Sequence, residues 1–447
     1  MRQGYRGEGG SLQQRLLPVA SVTLLTLLAT ILGGSPALAQ ETDPVLVPTA
    51  IAGSTAPAPN PAVLNSKLTP LLTSRSMGVS AAIVLDPATG EFLFDRGAQN
   101  PQVPASTTKL VTAAAALHVL GAQTRLATTV QSDGSTITLV GGGDATVVTG
   151  TRPRSAASLT DLAKQTAAAL PAGASVVVNY DDSLFSGPEL AAGWSRGWPR
   201  AGVIAPVSAL MTDEGRASKG SLARASDPAR AAAQQFTKLL KANGAEARLG
   251  TKASPVEGSA EIARVESPTV STLVQQMLTD SNNDLAECLA HLVGLKSTGK
   301  ATFKTGASAT IEAINEIGVS TVGMVLVDGS GLSSKNRIAP YTLASLISST
   351  AGEQADELWP IAAGLPVAGL TGTLSDRFAV KGMKQAIGYV RAKTGSLNDT
   401  VALAGSVRDR DGRVLVFAIL ANSIPSVAAA RATVDKIANQ LAKCGCR

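Results

Sequence analysis

The sequence is poor in the residues on which metal, disulfide and nucleic-acid chemistry depend. Its 447 residues include two histidines and three cysteines, and aromatic residues make up 3%. So few cysteines, in an odd number, exclude a disulfide scaffold, and neither histidine is spaced with them as zinc ligands are. A formal charge of +6 with so few aromatic rings provides neither the basic surface nor the stacking surface of a nucleic-acid-binding protein. We expect no metal and no nucleic-acid partner.

The three cysteines leave two arrangements open. Cys288 stands alone in the middle of the chain, whereas Cys444 and Cys446 lie together near its C-terminus. Cys288 either pairs with one of the two terminal cysteines or is buried as a small apolar side chain. The sequence does not decide between these alternatives.

The N-terminus carries a long apolar run. Polar residues with arginines precede residues 16–32, and the small-residue segment 37–39 (ALA) follows them. This pattern predicts a signal peptide over residues 1–39 and an exported protein, in the periplasm or cell wall or secreted. An uncleaved anchor is the alternative, and we expect no other membrane contact. Residues 40–64 are rich in proline and alanine, which predicts a flexible linker.

The rest of the chain has the composition and the patterning of an α+β protein. Hydrophobic residues make up 45% and charged residues 16%, as in globular domains. A hairpin pattern begins at residue 80, residues 105–121 form an apolar helix pattern, and strand patterns return from 388 to 422 before a helix at about 425–442. We expect the last strands to form an antiparallel sheet flanked by helices.

Between these parts lies a segment with its own alternation of strands and turns. Short apolar strands and one helix near 158–170 predict a smaller α+β domain inserted at residues 122–225. The main domain then comprises residues 65–121 and 226–447. In its second part the patterns predict helices, among them one over residues 268–293, and a strand at 322–328.

A histidine-activated serine is one candidate for catalysis. The string 193–197 (GWSRG) has the form Gly-x-Ser-x-Gly, and Asp284 and His291 follow it in the order of an α/β-hydrolase triad. That motif requires a strand before the serine and a helix after it, but Ser195 is flanked by turn-like sequence. A surface loop is the better interpretation, and we expect both histidines to be structural.

A lysine-activated serine is the other candidate. The spacing Ser-x-x-Lys puts both side chains on one helix face, and it occurs at residues 106–109 (STTK) and 297–300 (STGK). Ser106 and Lys109 begin the apolar helix, where free N–H groups favour an anion formed at the serine. The second string contains glycine and lies in polar sequence, so we interpret it as chance.

Two further strings complete an ordered set. Residues 281–283 (SNN) stand at the start of a helical stretch, where Ser281 and Asn283 can face a cleft. Residues 393–395 (KTG) lie in strand-like sequence, where alternation sends Lys393 and Gly395 to one face and Thr394 to the other. Gly395 also lets a ligand backbone approach closely. Other Ser-x-Asn and Lys-Thr-Gly strings occur, so the order and the element types carry the signal.

The ordered set resembles the penicillin-recognising serine D,D-peptidases and β-lactamases. With an insertion between the first two motifs, the chain is most similar to the class C low-molecular-mass penicillin-binding proteins, the S13-like D-alanyl-D-alanine carboxypeptidases and endopeptidases. Further similar strings are LVGGGD from 139, APVSAL from 205, DGSGLSSKNRIAP from 328 and LPVAGLTGTL from 365. Ser396 departs from the threonine common after the third motif, and the insertion is short enough for one extra domain.

The resemblance implies a reaction and a role for each motif residue. Ser106 would attack the D-alanyl carbonyl with Lys109 as its base, and the N–H groups of Ser106 and Ser396 would form the oxyanion hole. Ser281 would relay a proton and Asn283 would bind the substrate's acylamide side chain. Lys393 and Thr394, beside Gly395, would hold the terminal carboxylate.

The family resemblance also implies the partners. They would be peptidoglycan stem peptides and β-lactams, with no metal or organic cofactor, and cleavage of cross-links is left open. Two alternatives remain: a serine β-lactamase and a relative that binds penicillin without catalysis. The glutamate loop of class A β-lactamases, Glu-x-x-Leu-Asn, does not occur between Asn283 and Lys393.

Overall fold

The computed structural model describes residues 56–150, 156–351 and 355–445. The predicted signal peptide and residues 40–55 of the predicted linker lie outside these ranges. The linker prediction is wrong at its C-terminal end, because the first helix begins at Pro61, and Leu64 is fully buried. Leu64, Leu68 and Leu72 recur one turn apart and all face the core, a helical period that becomes visible only beyond residue 64.

Strands and helices alternate along the described residues. The strands are β1 (Val79–Leu85), β2 (Phe92–Arg96), β3 (Arg125–Ser132), β4 (Thr136–Val140), β5 (Ser175–Asp181), β6 (Glu246–Lys252), β7 (Ala260–Thr269), β8 (Val390–Leu397), β9 (Thr400–Arg408) and β10 (Val414–Asn422). The helices are α1 (Pro61–Leu72), α2 (Lys109–Ala115), α3 (Leu159–Ala169), α4 (Trp198–Ala201), α5 (Pro228–Ala242), α6 (Val270–Asp280), α7 (Asn283–Thr298), α8 (Phe303–Glu316), α9 (Pro340–Ser349), α10 (Ala355–Gly364) and α11 (Val427–Ala442).

One sheet joins the two ends of the described chain. Its order is β2-β1-β10-β9-β8, and every neighbouring pair is antiparallel, as predicted for the C-terminal strands. The N-terminal hairpin adds to it through β1, which pairs with β10 so that Ile83 lies opposite Ala418. Strand β8, which carries the third motif, is therefore at an edge of the sheet.

Helices cover both faces of this sheet. In β9 the side chains of Ala402 and Ala404 join the core formed with α2 and α6 to α10. Val401 and Leu403, which point the other way, join the core formed with α1 and α11. This layered α+β architecture confirms the predicted fold class. Every residue of α2 is buried, so this helix is covered by other elements on nearly all sides.

A second sheet lies within the chain between α2 and α6. Its order is β6-β5-β4-β3-β7, with parallel pairing of β4 to β5 and β5 to β6, and its core takes in α3 and α5. The sheet extends to Thr269, well past the boundary predicted at residue 225. The reason is that β6 and β7 carry many polar, exposed side chains, so their alternation is weak in the sequence.

Two other expected elements differ from the structure. The helix predicted over 268–293 is broken at Ser281, which adopts the left-handed conformation with φ of 56° and ends α6. The strand predicted at 322–328 is irregular and makes only an isolated pairing, between Val325 and Arg337. Its last residue, Asp328, belongs to a loop described below.

Cys288 is a free thiol buried in α7, so pairing with a terminal cysteine is excluded and burial is the correct alternative.

Among the helices in the described ranges, none combines the length and apolarity that crossing a membrane requires.

Candidate active site

Ser106 lies in a tight turn that leads into α2. Residues Ala105–Thr108 form a single 3₁₀ turn that continues directly into the helix. Ala105 has a φ of 47°, an unfavourable conformation for a residue with a Cβ atom. Gly331 packs against this residue so closely that a Cβ atom at 331 would lie 1.9 Å from the carbonyl oxygen of Ala105. The surrounding structure therefore holds the nucleophile turn in a strained shape.

Lys109 reaches back from the first turn of α2 to the serine. Its Nζ donates to Ser106 Oγ at 3.2 Å, to Asn283 Oδ1 at 2.7 Å and to the carbonyl oxygen of Ser330 at 2.7 Å. The side chain is fully buried. The predicted pairing of Ser106 with Lys109 is thus present as a direct hydrogen bond, and Asn283 from the second motif joins it.

Burial lowers the pKa of Lys109 to about 8. Negative charge on Glu287, Asp328 and Asp284 acts in the opposite direction. Burial and the neighbouring charge of Lys109 hold the pKa of Lys393 well below its usual value. A lysine in this range supplies a neutral amine near neutral pH.

Ser281 and Lys393 form a second serine-lysine pair. The left-handed conformation of Ser281 ends α6 and separates it from α7. Lys393 Nζ donates to Ser281 Oγ at 2.8 Å and to the carbonyl oxygen of Thr394 at 3.1 Å. Lys393 is fully buried. Its ammonium group therefore lies behind strand β8, directed at the hydroxyl of the second motif.

Strand β8 presents alternate side chains to the interior and to solvent. Lys393 and Gly395 are buried, Thr394 is half-buried and Ser396 is exposed. A Cβ atom at 395 would lie 2.7 Å from the carbonyl oxygen of Pro104, so glycine allows the strand to approach the nucleophile turn. Lys393 and Gly395 therefore share the face of β8 that meets the nucleophile turn, and Thr394 and Ser396 lie on the other face.

A loop of residues 328–336 forms another wall of the site. The carboxylate of Asp328 organises it by accepting hydrogen bonds from Trp194 Nε1, Gly331 N, Ser333 N and Asn336 Nδ2, at 2.6 to 2.9 Å. The sequence analysis recognised this segment only by its similarity to a family. Its function in the structure is to place the carbonyl oxygen of Ser330 against Lys109.

Glu287 supports the same loop from α7. Its carboxylate accepts hydrogen bonds from the backbone N–H of Ser330 at 2.7 Å and of Gly329 at 3.1 Å. It is fully buried, and burial together with the charge of Asp328 raises its pKa. The sequence analysis missed this residue, although a charged side chain one turn after Asn283 in an apolar helix is a visible signal.

The inserted segment binds Asn282 and Asn283 of the second motif and Asp284, the residue that follows it. Its hydrogen bonds are Asn282 Nδ2 to Glu214 Oε1 (2.8 Å), Asn283 Nδ2 to Val203 O (2.9 Å), Arg224 Nη2 to Asp284 Oδ2 (2.7 Å) and Ala205 N to Asp284 Oδ1 (2.7 Å). Both ends of the Asn283 amide are therefore bound to protein. Its orientation toward Lys109 is fixed by the insertion.

The Arg224–Asp284 ion pair is the most buried part of this contact. The side chains expose 6% and 2% of their surface. Burial raises the pKa of Asp284 to about 6, against the effect of Arg224, which favours the charged carboxylate. Removing either partner would leave the other charge buried without its counter-ion.

The histidine triad considered from the sequence is not assembled. Ser195 Oγ accepts a hydrogen bond from Gly197 N, and His291 Nδ1 is bonded to the carbonyl oxygen of Glu287. Asp284 is bound to the insertion as described above. Burial lowers the pKa of His291 to about 4, so this imidazole is a neutral core residue.

The geometry suits acyl transfer through a serine. A hydroxyl group lies beside a buried lysine that can take its proton, and a second hydroxyl lies beside a second lysine that can resupply one. The edge strand β8 can bind an extended peptide next to the nucleophile.

Comparison with known families and proteins agrees with this chemistry. The model of the D-Ala-D-Ala carboxypeptidase 3 (S13) family matches residues 64–225 and 217–444. Carboxypeptidase DacB of Mycolicibacterium smegmatis is 35% identical over 416 residues, which cover 90% of this chain and 88% of the relative. The D-alanyl-D-alanine carboxypeptidase of Actinomadura sp. is 28% identical over 98% of this chain and 91% of the relative.

A solved structure shares the fold. Penicillin-binding protein 4 (dacB) from Haemophilus influenzae superimposes with a TM-score of 0.69 at 21% identity, covering 86% of this chain and 98% of the other. The same protein has been solved in complex with a β-lactam. This likeness supports the layered α+β architecture with its inserted domain.

The ion pair with the insertion leads to a stability prediction. We expect Arg224→Gln to destabilise the protein by about 3–5 kcal/mol at pH 8, because ionised Asp284 would remain buried without its counter-ion. The loss should shrink below pH 6, where Asp284 binds a proton and needs no counter-ion. Denaturant unfolding at both pH values measures this. In the matched control, Arg264→Gln, which pairs with Glu261 and Glu266 at the surface, should cost less than about 1 kcal/mol, and equal losses at both pH values for Arg224→Gln would contradict the assignment.

Proposed function

This chain belongs to the D-Ala-D-Ala carboxypeptidase 3 (S13) family, and we propose that its reaction proceeds through an acyl-enzyme on Ser106. It is a serine-type D-Ala-D-Ala carboxypeptidase and a penicillin-binding protein. The observation that carries the proposal for Ser106 is the hydrogen bond from the fully buried Lys109. The family match favours a peptidase over the two alternatives, a β-lactamase and a binding protein without activity.

Acylation begins with proton transfer from Ser106 Oγ to the neutral amine of Lys109. The serine oxygen then attacks the carbonyl carbon of the penultimate D-alanine, and the carbonyl oxygen takes up the negative charge. We assign the oxyanion hole to the backbone N–H groups of Ser106 and Ser396, in support of which Ser396 lies on the strand that packs against the nucleophile turn.

Breakdown of the tetrahedral intermediate requires a proton for the leaving amine. Ser281 Oγ donates it and regains a proton from Lys393 Nζ, which already donates to it at 2.8 Å. The C–N bond breaks, D-alanine leaves as an amine and the acyl group stays on Ser106. Water then hydrolyses the ester: its oxygen leaves on the peptide acid and one of its protons returns to Ser106 Oγ. Lys109 gives up the proton that it took from Ser106 and Lys393 regains one, which restores both lysines for the next turnover.

Substrate binding is assigned to the residues around this centre. We assign the substrate's acylamide side chain to Asn283 and its terminal carboxylate to Lys393 and Thr394, with Gly395 giving the backbone room to approach. We propose peptidoglycan stem peptides as the substrates and a site of action outside the cytoplasm, in support of which the family acts on the cell wall. β-Lactams resemble the same D-alanyl-D-alanine end and should acylate the same serine. Digestion of muropeptides by the protein, followed by mass spectrometry, tests carboxypeptidase and cross-link cleavage together.

The nucleophile can be identified by labelling. We expect incubation with benzylpenicillin to add one drug mass to a peptide that contains Ser106, because the strained carbonyl occupies the place of the D-alanyl carbonyl. Peptide mass spectrometry measures this, and Ser106→Ala should abolish it. Ser297→Ala, in the other Ser-x-x-Lys string, is the control and should label normally. Labelling that persists in Ser106→Ala would refute the assignment.

The base can be tested through the pH dependence of acylation. Since a neutral amine is needed and the pKa of Lys109 is about 8, the acylation rate should rise with pH and level off above that value. Lys109→Arg keeps the charge but cannot act as a base, so acylation should fall by about 10²- to 10⁴-fold. Lys109→Met is uncharged and of similar length, and its acylation rate should fall by a similar factor. Cooperative thermal unfolding of both variants would show that they are folded. A rate within about tenfold of wild type would contradict the role.

The lifetime of the drug adduct separates peptidase from β-lactamase. The chain lacks the glutamate that class A enzymes position for deacylation, and we therefore expect the penicilloyl ester to persist for minutes to hours after excess drug is removed. A β-lactamase would release it at the usual enzymatic rates of roughly 1 to 10³ per second. Intact-protein mass spectrometry follows the decay, and rapid loss with steady drug hydrolysis would favour the alternative.

A further inference from the structure

The peptide group between Gly329 and Ser330 is clamped by two buried side chains. Its carbonyl oxygen accepts a hydrogen bond from Thr112 Oγ1 at 2.7 Å, and its N–H donates to Glu287 Oε1 at 2.7 Å. Both side chains are fully buried. A Cβ atom at 329 would lie 2.9 Å from the carbonyl oxygen of Ala286, so glycine lets the loop approach α7 closely enough for these bonds. The clamp therefore holds the loop at Ser330, the residue whose carbonyl oxygen receives the base.

The clamp lies one helical turn away from the reacting groups. In α2, Thr112 follows Lys109 by three residues. In α7, Glu287 follows Asn283 by four residues, so each pair lies on one face of its helix. Lys109 and Asn283 are hydrogen-bonded to each other beside the nucleophile. The carboxylate of Glu287 is thus separated from the ammonium group of Lys109 by the backbone at Ser330.

Glu287 brings a charge to this position as well as hydrogen bonds. Both of its carboxyl oxygens accept backbone N–H groups, an arrangement that suits an ionised carboxylate. Among the ion pairs of the described residues, none includes Glu287. Of the three carboxyl groups that favour the charged form of Lys109, Glu287 has the largest effect. The cation on which its charge acts is therefore Lys109.

The other charged groups that face Lys109 are committed elsewhere or have the same sign. Asp284, also on α7, forms its own ion pair with the insertion, and Asp328 is bound by donors of its own loop. The facing cation is Lys393 on β8, which is fully buried and repels Lys109. Glu287 is thus the carboxylate left to compensate a charge on Lys109.

We propose that Glu287 is the buried counter-ion that allows Lys109 to take the proton of Ser106, acting across the peptide group that it clamps. The inference rests on the proposed function, in which Lys109 is the base for acylation. When Ser106 gives up its proton, Lys109 becomes an ammonium ion in the protein interior, where an uncompensated charge is costly. The charge of Glu287 lowers that cost and makes Lys109 a stronger base. Because Glu287 acts through Lys109 and the loop, it is a positioning residue.

The test measures the pH dependence of Ser106 acylation by benzylpenicillin. In Glu287→Gln the amide oxygen can still accept a backbone N–H, but the charge is lost. Lys109 then loses its proton more readily, so the inflection of the rate profile should move to lower pH by about one unit or more. The plateau at high pH should fall by about threefold to tenfold, because Lys109 is then a weaker base.

Two control variants separate the charge from the clamp. Thr112→Val replaces the hydroxyl group by a methyl group, so it loosens the clamp and leaves all charges in place. We expect a slower rate with an unchanged inflection. Glu312→Gln, at the exposed surface of α8, should leave both rate and inflection unchanged. An inflection in Glu287→Gln that stays at the wild-type pH would overturn the proposal, because support of the loop alone predicts only a slower rate.

A stability measurement tests the same pairing without relying on activity. Lys109→Met and Glu287→Gln each leave one buried charge without its partner, whereas the double variant removes both charges. Denaturant unfolding should show a loss in the double variant that is smaller than the sum of the two single losses. If Glu287→Gln alone has no cooperative transition, the double variant should regain one. Additive losses, or a double variant without a cooperative transition, would contradict the pairing.

The proposed function is judged separately, by the labelling of Ser106 in the wild-type protein. If Ser106 is labelled and the inflection does not move in Glu287→Gln, only the role of Glu287 is refuted. If the wild-type protein is not labelled at Ser106, the proposed function itself is refuted.

Discussion

Two lysine side chains buried at the junction of helix α2 and strand β8 are the constraint on which the site depends. An ammonium group removed from water is costly, and the structure meets this cost at Lys109 with three oxygen acceptors and nearby carboxyl groups. One acceptor comes from α7 and another from the 328–336 loop. Each of these elements must therefore be in place before Lys109 can hold its position beside Ser106.

The same requirement explains why acidic side chains are buried in a helix that packs in the core. Glu287 fixes the loop whose carbonyl receives Lys109, and Asp284 fixes the start of α7 to the insertion through Arg224. Isolated, each carboxyl group would be destabilising. Together with the lysines they form a network that links the main sheet, the insertion and the loop, so the inserted domain is part of the support of the site as well as an addition to the fold.

The catalytic residues could be predicted from the sequence more easily than the elements that hold them in position. Ser106 and Lys109 could be recognised because their spacing is local and the helix that carries them is strongly apolar. The break at Ser281 could not, since a left-handed serine between two apolar helices leaves no trace in hydrophobic periodicity. The predicted boundary of the inserted domain, at residue 225, left out the last two strands of the second sheet. These strands, β6 and β7, carry polar, exposed side chains, which hide the alternation that marks a strand.

Residues whose contacts are far away in the sequence could not be predicted either, because hydrophobic periodicity carries no information about such contacts. Arg224 binds a carboxylate 60 positions away, and Arg431 contacts a hydroxyl group 35 positions away. Nothing local distinguishes either arginine from an ordinary surface residue. Their surroundings do: Arg224 is buried with its partner, where loss of charge would affect folding, whereas Arg431 is solvent-exposed and contacts Ser396 Oγ. Burial thus distinguishes the arginine that fixes the start of α7 to the insertion from one that lies at the protein surface.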